Sequence, residues 1–352
     1  MVDSGSGVGG APDVAVRPYG LGLWSWVAWH DDRLAPGQDP HLFYQWIGAT
    51  GYKAFVGDLR LDTVATNRSA TNVRIAFQYG IPGYENWNEF AAAWEVERDG
   101  APDSPHDVYA RFMTFFGPKN QCFGSNAEFL VSSGSSAARL PAVAASASGN
   151  AVFIAWEETE PATNQKIMIA KYDRYGCSLI SPTRIDSGDP NTVRHNVALA
   201  VDSNNFVRVV WWEGFNNGPE TVFQQRLNSN LSPANPFVGP QQLNAPPTSP
   251  PGADRALYPS VATDLANNAA FTWLANVNDS NAAVTFTNSI AKSLAPTGEI
   301  LKNDFRVDLN GRATSVRTTV ARSSQPKKFV YAWRDNRSGH MDVYIRAVKS
   351  VP

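Results

Sequence analysis

The chain repeats itself, and the repeat limits the fold more tightly than any other feature. Six times an apolar residue followed by a short polar one precedes a tryptophan-ended apolar run. Counted from the polar member, the pairs are Asp3 to Trp29, Asp62 to Trp94, Ser132 to Trp156, Asp186 to Trp211, Asn244 to Trp273 and Asp308 to Trp333. They tile all 352 residues. A single hydrophobic core usually stops growing at about 250–300 residues, but repeats escape that limit by burying surface only against their neighbours.

Each repeat contains four strand-sized runs. The clearest example runs from Pro141 to Ala145, through a Ser-Gly-Asn turn to Ala151–Trp156, then across an acidic loop to Lys166–Tyr172 and on to Thr183–Asp186. Such runs separated by turn residues predict an antiparallel meander. The third strands are expected at 42–45, 108–111, 167–170, 222–225, 284–287 and 343–346. Successive tryptophans lie 55 to 65 residues apart, longer than the common propeller repeat of about 40–45 but suited to four strands with long loops. The expected fold is all-β: one six-bladed β-propeller of four-stranded antiparallel blades spanning residues 1–352. Two β-sandwiches are the competing all-β arrangement, and they leave the six-fold tryptophan register unexplained.

After Trp333 the sequence supplies a third strand at 341–348 and stops at Pro352, so the sixth blade lacks its outermost strand. Met1-Val2-Asp3-Ser4-Gly5 matches Arg184-Ile185-Asp186-Ser187-Gly188, which makes the N-terminal segment the expected fourth strand of that blade. Pairing of this kind removes an open sheet edge.

Composition narrows function mainly by exclusion. With 18% charged residues and a formal net charge of -2, the chain has no bulk attraction to nucleic acid, and no apolar run reaches the length of a bilayer span. The start carries no secretory signal, so an extracytoplasmic protein of this sequence requires a signal removed from or absent in this chain. Cys122 and Cys177 each follow a third strand; at equivalent places in adjacent blades they are expected to be two separate thiols.

Between Leu140 and Gly176 the sequence resembles a known repeat. The carrying segments are Leu140-Pro141-Ala142-Val143-Ala144, Gly149 through Trp156, and Ile169 through Gly176. They are similar to a repeat of large secreted and cell-surface bacterial proteins: a Pro-Val-Ala strand, a glycine turn, a tryptophan-ended strand and an Asp-x-x-Gly turn. The resemblance covers essentially the whole chain and is strongest from Ala138 to Ser350. It implies a secreted, periplasmic or cell-surface location and a binding role, and it carries over no catalytic residue. The Ser-x-Asp-x-Gly-x-Thr-Trp turn of sialidase propellers is not preserved at Ala147–Asn150 or Asp202–Asn205.

Candidate site residues come from two recurring sets. Arg74, Arg139, Arg194, Arg255 and Arg317 stand just ahead of a first strand, the strand that lines a propeller's channel, and such guanidiniums suit a carboxylate, sulfate or phosphate. Asp31, Glu95, Glu157, Glu213 and Asp335 follow the tryptophans and open on the same face. The two sets are either partners in ion pairs that clamp the blades or parts of a ligand site. Calcium on the loops of Asp99, Asp103 and Asp107 or of Asp31, Asp32 and Asp39 lacks the EF-hand pattern, and five scattered histidines lack zinc spacing, so no cofactor is expected.

Five tryptophans beyond the repeat, Trp24, Trp26, Trp46, Trp87 and Trp212, are either inter-sheet filling or surfaces for a sugar or a partner. Loop insertions concentrate at 80–88, 99–106 and 244–255, in blades two and five. The leading expectation is a non-catalytic recognition or assembly module that binds a protein or glycan through face loops. The alternatives are a lectin with repeated inter-blade sites, or a glycoside hydrolase with two carboxylates about 5–9.5 Å apart at the channel mouth.

Overall fold

A computed structural model describes residues 10–16, 25–34, 39–48, 50–63, 68–78, 89–99, 104–114, 117–119, 122, 128–159, 165–189, 192–215, 220–234, 239–244, 256–278, 285–308, 315–323, 328–335 and 342–349. Among them every regular element is a β-strand. Blade one contains β1 (Gly10–Val16), β2 (Ser25–Asp31), β3 (His41–Ile47) and β4 (Leu59–Arg60). Blade two contains β5 (Ala70–Gln78), β6 (Glu89–Glu97), β7 (His106–Thr114), β8 (Gly117–Pro118) and β9 (Phe129–Leu130). Blade three has β10 (Ala137–Ala145), β11 (Ala151–Thr159), β12 (Gln165–Asp173) and β13 (Ser178–Arg184). Blade four has β14 (Thr192–Val201), β15 (Val207–Phe215), β16 (Glu220–Leu227) and β17 (Gln241–Gln242). Blade five has β18 (Ala256–Thr263), β19 (Ala269–Asn278), β20 (Thr285–Leu294) and β21 (Ile300–Arg306), and blade six has β22 (Ser315–Arg322), β23 (Lys328–Asp335) and β24 (Asp342–Lys349). The sheets are sequential antiparallel meanders, and the fold is a six-bladed β-propeller. The chain divides into two compact units, Met1–Pro161 with Met168–Arg184, and Ala162–Ile167 with Ile185–Pro352.

The six repeat tryptophans all lie on second strands and are buried. Strand β6 shows why: Phe90, Ala92 and Trp94 face Trp26 and Ala28 of blade one, whereas Ala91 and Ala93 face Val152 and Ile154 of blade three. A strand buried on both faces reads as continuous apolar sequence. Five of the six short polar residues lie among the described residues, and each of them ends a blade. Asp62, Ser132, Asp186, Asn244 and Asp308 take the backbone N–H of Leu42, Val108, Ile167, Val222 and Ser289 at 2.5, 3.2, 2.8, 2.9 and 2.9 Å, pinning the chain to the third strand.

Three expectations change on contact with the structure. Cys122 and Cys177 form a disulfide with Cα atoms 5.3 Å apart, because an insertion splits the outer edge of blade two into β8 and β9 and carries Cys122 out of register with Cys177. Lys119 and Arg174 close the same junction on Glu89, at 2.5 and 3.0 Å. In blade five the tryptophan pairs with Ile290, so the third-strand residue equivalent to Tyr109 is Ile290 and not one of 284–287. Blade two has five strands, and blade six has three among the described residues. The N-terminal segment expected to complete blade six lies outside the described residues.

Every first strand carries a register shift near its start, between Gly10 and Asp13, Thr71 and Arg74, Arg139 and Ala142, His195 and Ala198, Leu257 and Ser260, and Ser315 and Arg317. Asn72, Leu140, Asn196 and Tyr258 sit in four of these bulges with φ of 50°, 48°, 56° and 52°. A bulge bends the strand and re-aims its backbone, and a leucine or tyrosine at positive φ is strained unless its surroundings hold it there.

Candidate functional site

In four of the six blades, a carboxylate two residues beyond the tryptophan takes the indole N–H. Trp29 donates to Asp31 (3.2 Å), Trp156 to Glu158 (3.2 Å), Trp211 to Glu213 (2.9 Å) and Trp333 to Asp335 (2.8 Å). Residues two apart share a strand face, so the indole and the acid can meet only at this spacing. Asp31 also holds Arg33, whose Nε lies 2.9 Å from Oδ1. Burial pushes the Asp31 carboxyl up, but the Arg33 and Trp29 hydrogen bonds outweigh it and leave the group below its usual range.

Glu95 and Glu157 stand one residue beyond their tryptophans and so face the other way. Glu95 is 3% exposed. Its Oε1 accepts the backbone N–H of Leu140 at 2.6 Å and the side-chain amide of Asn72 at 2.9 Å. Both donors are bulge residues, one on β10 and one on β5, so the distorted first strands build this socket between blades two and three. Burial pushes the Glu95 carboxyl up; the two hydrogen bonds and the nearby Arg139 charge pull it down, and Glu157 pushes it up again, with a net rise. Glu157 is itself buried and lies opposite Arg139 in the β10–β11 register.

Arg139 is exposed, and among the described residues it makes no hydrogen bond or salt bridge. Its charge also reaches His106, at the start of β7. Burial, then Arg139, lowers the pKa of that imidazole, while Glu97, Asp107 and a backbone hydrogen bond with Ser104 oppose them. Glu95 is thus a buried carboxyl biased toward its protonated form, held at the junction of blades two and three by Asn72 and Leu140, with the charges of Arg139 and Glu157 acting on it from blade three.

The five expected arginines do not share one register position. Opposite the residue that follows each tryptophan stand Gly10, Thr71, Arg139, His195, Leu257 and Arg317. Arg74 lies beyond its bulge, opposite Ala93, and its Nη1 donates to the Val73 carbonyl at 3.0 Å. Arg194 pairs across the sheet with Glu213 and is fully buried. Its Nε lies 3.1 Å from Glu213 and 3.2 Å from Asp186, and its Nη atoms donate to Gln165, Thr192, Ser187 and Asp189.

Arg139 and Arg194 precede their tryptophans by the same 17 residues. The turn that follows is one residue shorter in blade four, where Val201 pairs with Val207, than in blade three, where Ala145 pairs with Val152. A slip of one residue turns a side chain to the opposite face. Arg255 lies outside the described residues, as does the side chain of Arg317.

Of the expected carboxylates, Asp31, Glu213 and Asp335 are therefore indole anchors, Glu95 sits in the socket between blades two and three, and Glu157 is buried opposite Arg139. Asn72, Leu140 and His106 were not singled out as site residues by sequence; only Asn72 carries a signal, as a residue type that tolerates positive φ. On the acidic loops, Asp107 is bound by Arg98 at 2.7 Å, and Asp103 lies outside the described residues. Among the described residues no group of three or more His, Cys, Asp or Glu is arranged to hold a metal ion.

No family model and no curated protein matches the sequence. Solved structures do match. The GH93 α-L-arabinofuranosidase of Fusarium graminearum, in complex with arabinobiose, superposes with a TM-score of 0.55 at 12% identity over 96% of this chain and 92% of that one. A protein of unknown function from Dyadobacter fermentans gives 0.56 at 8% identity over 99% and 96%. A neuraminidase-like protein of a little yellow-shouldered bat isolate gives 0.51 at 8% identity over 97% and 92%. At these identities the likeness establishes the fold, and glycoside hydrolases are among the structures that share it.

Proposed function

We propose that the chain is a glycoside hydrolase whose proton donor is Glu95 and whose second carboxylate is Glu157. One observation carries this reading. Glu95 is a buried carboxyl with a raised pKa, held by Leu140 and Asn72 within reach of the Glu157 charge, and it is tied to no arginine by a hydrogen bond. Glycoside cleavage requires an acid that keeps its proton near neutral pH and a carboxylate that stays charged near the anomeric centre. Glu95 protonates the departing glycosidic oxygen as the bond to the anomeric carbon breaks, Glu157 offsets the positive charge that develops there, and a water molecule then adds its oxygen to the anomeric carbon and gives a proton back to Glu95. The whole-length likeness to an arabinofuranosidase supports the reading, and the Cys122–Cys177 disulfide supports a location outside the reducing cytoplasm.

The test is hydrolysis of a panel of 4-nitrophenyl glycosides and polysaccharides, beginning with 4-nitrophenyl α-L-arabinofuranoside and including uronides. Glu95→Gln is expected to lower kcat roughly 100- to 10,000-fold on substrates with poor leaving groups, and far less on activated aryl glycosides, whose leaving group needs no proton. A Glu95→Gln protein that cleaves both kinds like the parent refutes the assignment. A parent that binds sugars and cleaves none returns the chain to the recognition-module reading, which the structural use of Asp31, Glu213 and Asp335 favours.

A further inference from the structure

Both hydrogen bonds that reach the Glu95 carboxyl end on the same oxygen. The Leu140 N–H donates to Oε1 at 2.6 Å and the Asn72 side-chain amide donates to it at 2.9 Å, whereas among the described residues Oε2 receives no hydrogen bond. A carboxyl oxygen offers two lone pairs. With both on Oε1 occupied by N–H groups, an acidic proton has its place on Oε2. The socket therefore makes the two oxygens unequal: Oε1 is the carbonyl acceptor and Oε2 the hydroxyl.

Asn72 reaches Oε1 because of the bulge on β5. Thr71 stands opposite Glu95 and Arg74 opposite Ala93, so Asn72 and Val73 together face the single residue Trp94. Val73 takes the core side, in one cluster with Trp94 and Trp26. In a regular ladder the residue after Thr71 turns its side chain away from Glu95, but at a φ of 50° Asn72 bonds the carboxyl instead. Asn196 sits in the bulge of blade four at a φ of 56°, where the residue after the tryptophan is Trp212 and not an acid. The backbone conformation and the bond to a carboxyl are thus separate demands, met together at Asn72.

We propose that Asn72 is a positioning residue that fixes the Glu95 proton on Oε2, the oxygen that delivers it to the glycosidic oxygen. The inference rests on Glu95 being the proton donor. The proton leaves Oε2 for the departing oxygen, and the O–H electron pair stays on the carboxylate, which shares its new charge with Oε1. Hydrogen bonds to a charged oxygen are stronger than those to a neutral one, so Asn72 and the Leu140 N–H stabilise the state that the transfer produces. The Asn72 bond also opposes the effect of burial on Glu95, so its removal raises the carboxyl pKa further.

The experiment compares Asn72→Gly with the parent, because glycine keeps the bulge conformation and removes only the amide. Isotope-edited infrared difference spectra between acid and alkaline pH, with Glu95→Gln as the blank, isolate the C=O stretch of the protonated Glu95. Loss of one hydrogen bond from the carbonyl oxygen is expected to move that band to higher wavenumber and to raise its titration midpoint. On glycosides with poor leaving groups kcat is expected to fall on the order of 10-fold with KM little changed, and its alkaline limb to move to higher pH. A purely structural role moves neither the band nor the limb. Asn72→Asp keeps the size and the conformation but supplies no N–H; it serves where Asn72→Gly does not fold, and its like charge is expected to raise the midpoint further. An unshifted band in the folded glycine variant, an unshifted midpoint in the aspartate one, or cleavage of those substrates at the parent rate each overturns the proposal. The hydrolase reading fails separately: a shifted band with a parent that cleaves no glycoside refutes the enzyme and leaves the proton on Oε2.

Discussion

Replacing Arg194 by methionine separates a structural arginine from a ligand-binding one. The parent guanidinium is fully buried, shares its Nε between Glu213 and Asp186, and satisfies four other oxygen acceptors. Methionine fills much of the volume and supplies none of these donors. Glu213 then keeps the Trp211 indole at 2.9 Å, and Asp186 keeps the backbone N–H groups of Ile167 and Gly188 at 2.8 Å each. Two buried carboxylates lose the guanidinium that they share. Breaking a buried ion pair from one side typically destabilises by about 3–5 kcal/mol. For a unit of this size each kcal/mol lowers the melting temperature by roughly 2–4 °C, so calorimetry is expected to show a fall on the order of 6–20 °C. A variant that melts like the parent refutes the assignment of Arg194 as an internal clamp.

The disulfide closes a sequence separation of 55 residues, and a loop-entropy count assigns it about 4 kcal/mol as an upper figure; Cys122→Ser with Cys177→Ser should lower the urea midpoint accordingly, and an unchanged midpoint would show that the bond constrains nothing. Asp308→Ala leaves the Ser289 N–H buried without its acceptor and is expected to cost about 1–3 kcal/mol, whereas Asp308→Asn should cost little, because Asn244 does the same work in blade four; equal losses in thermal melts would contradict the capping role. Glu95→Gln probes the raised carboxyl through stability. A folded-state pKa above the unfolded value means that the folded protein binds the extra proton, so this contribution is present below the unfolded pKa and is lost as pH rises through the folded one. The variant should therefore gain on the parent as pH rises through that window, and a parent advantage that grows with pH would reverse the sign and the argument.

The architecture was legible because two independent signals repeat together. The tryptophan marks the doubly buried second strand, and in blades one to five the polar residue at the blade's end caps the third. Neither depends on side-chain detail. The arginine set was misread because linear spacing does not encode turn length: the shorter turn of blade four places Arg194 on the opposite face from Arg139. As sequence the two cysteines hold equivalent positions after a third strand, and the β8–β9 insertion removes that equivalence. Strand bulges escaped notice altogether, since Leu140 at a φ of 48° has no compositional signature.

The consequence for the site lies in the pair Glu157-Glu158, which as sequence is one acidic dipeptide. Glu158 shares the face of Trp156 and accepts its indole N–H; Glu157 faces away. An acid two residues past the tryptophan has the indole beside it in four of the six blades, and Asp31, Glu158, Glu213 and Asp335 differ little in kind. The position one residue past it is His30, Glu95, Glu157, Trp212, Leu274 and Arg334 in turn. No common packing demand explains six such different side chains. A frame that holds one position nearly constant and varies its neighbour confines chemical individuality to the varied position. Glu95 is where that individuality includes a buried carboxyl held by backbone strain, since Leu140 keeps its unfavourable conformation while its N–H bonds that carboxyl. Substituting Glu95 should therefore relax the bulge at Leu140 as well as remove the acid. Unaltered backbone amide shifts at 139–142 in Glu95→Ala would show that the bulge is set by the sheet alone and owes nothing to the site.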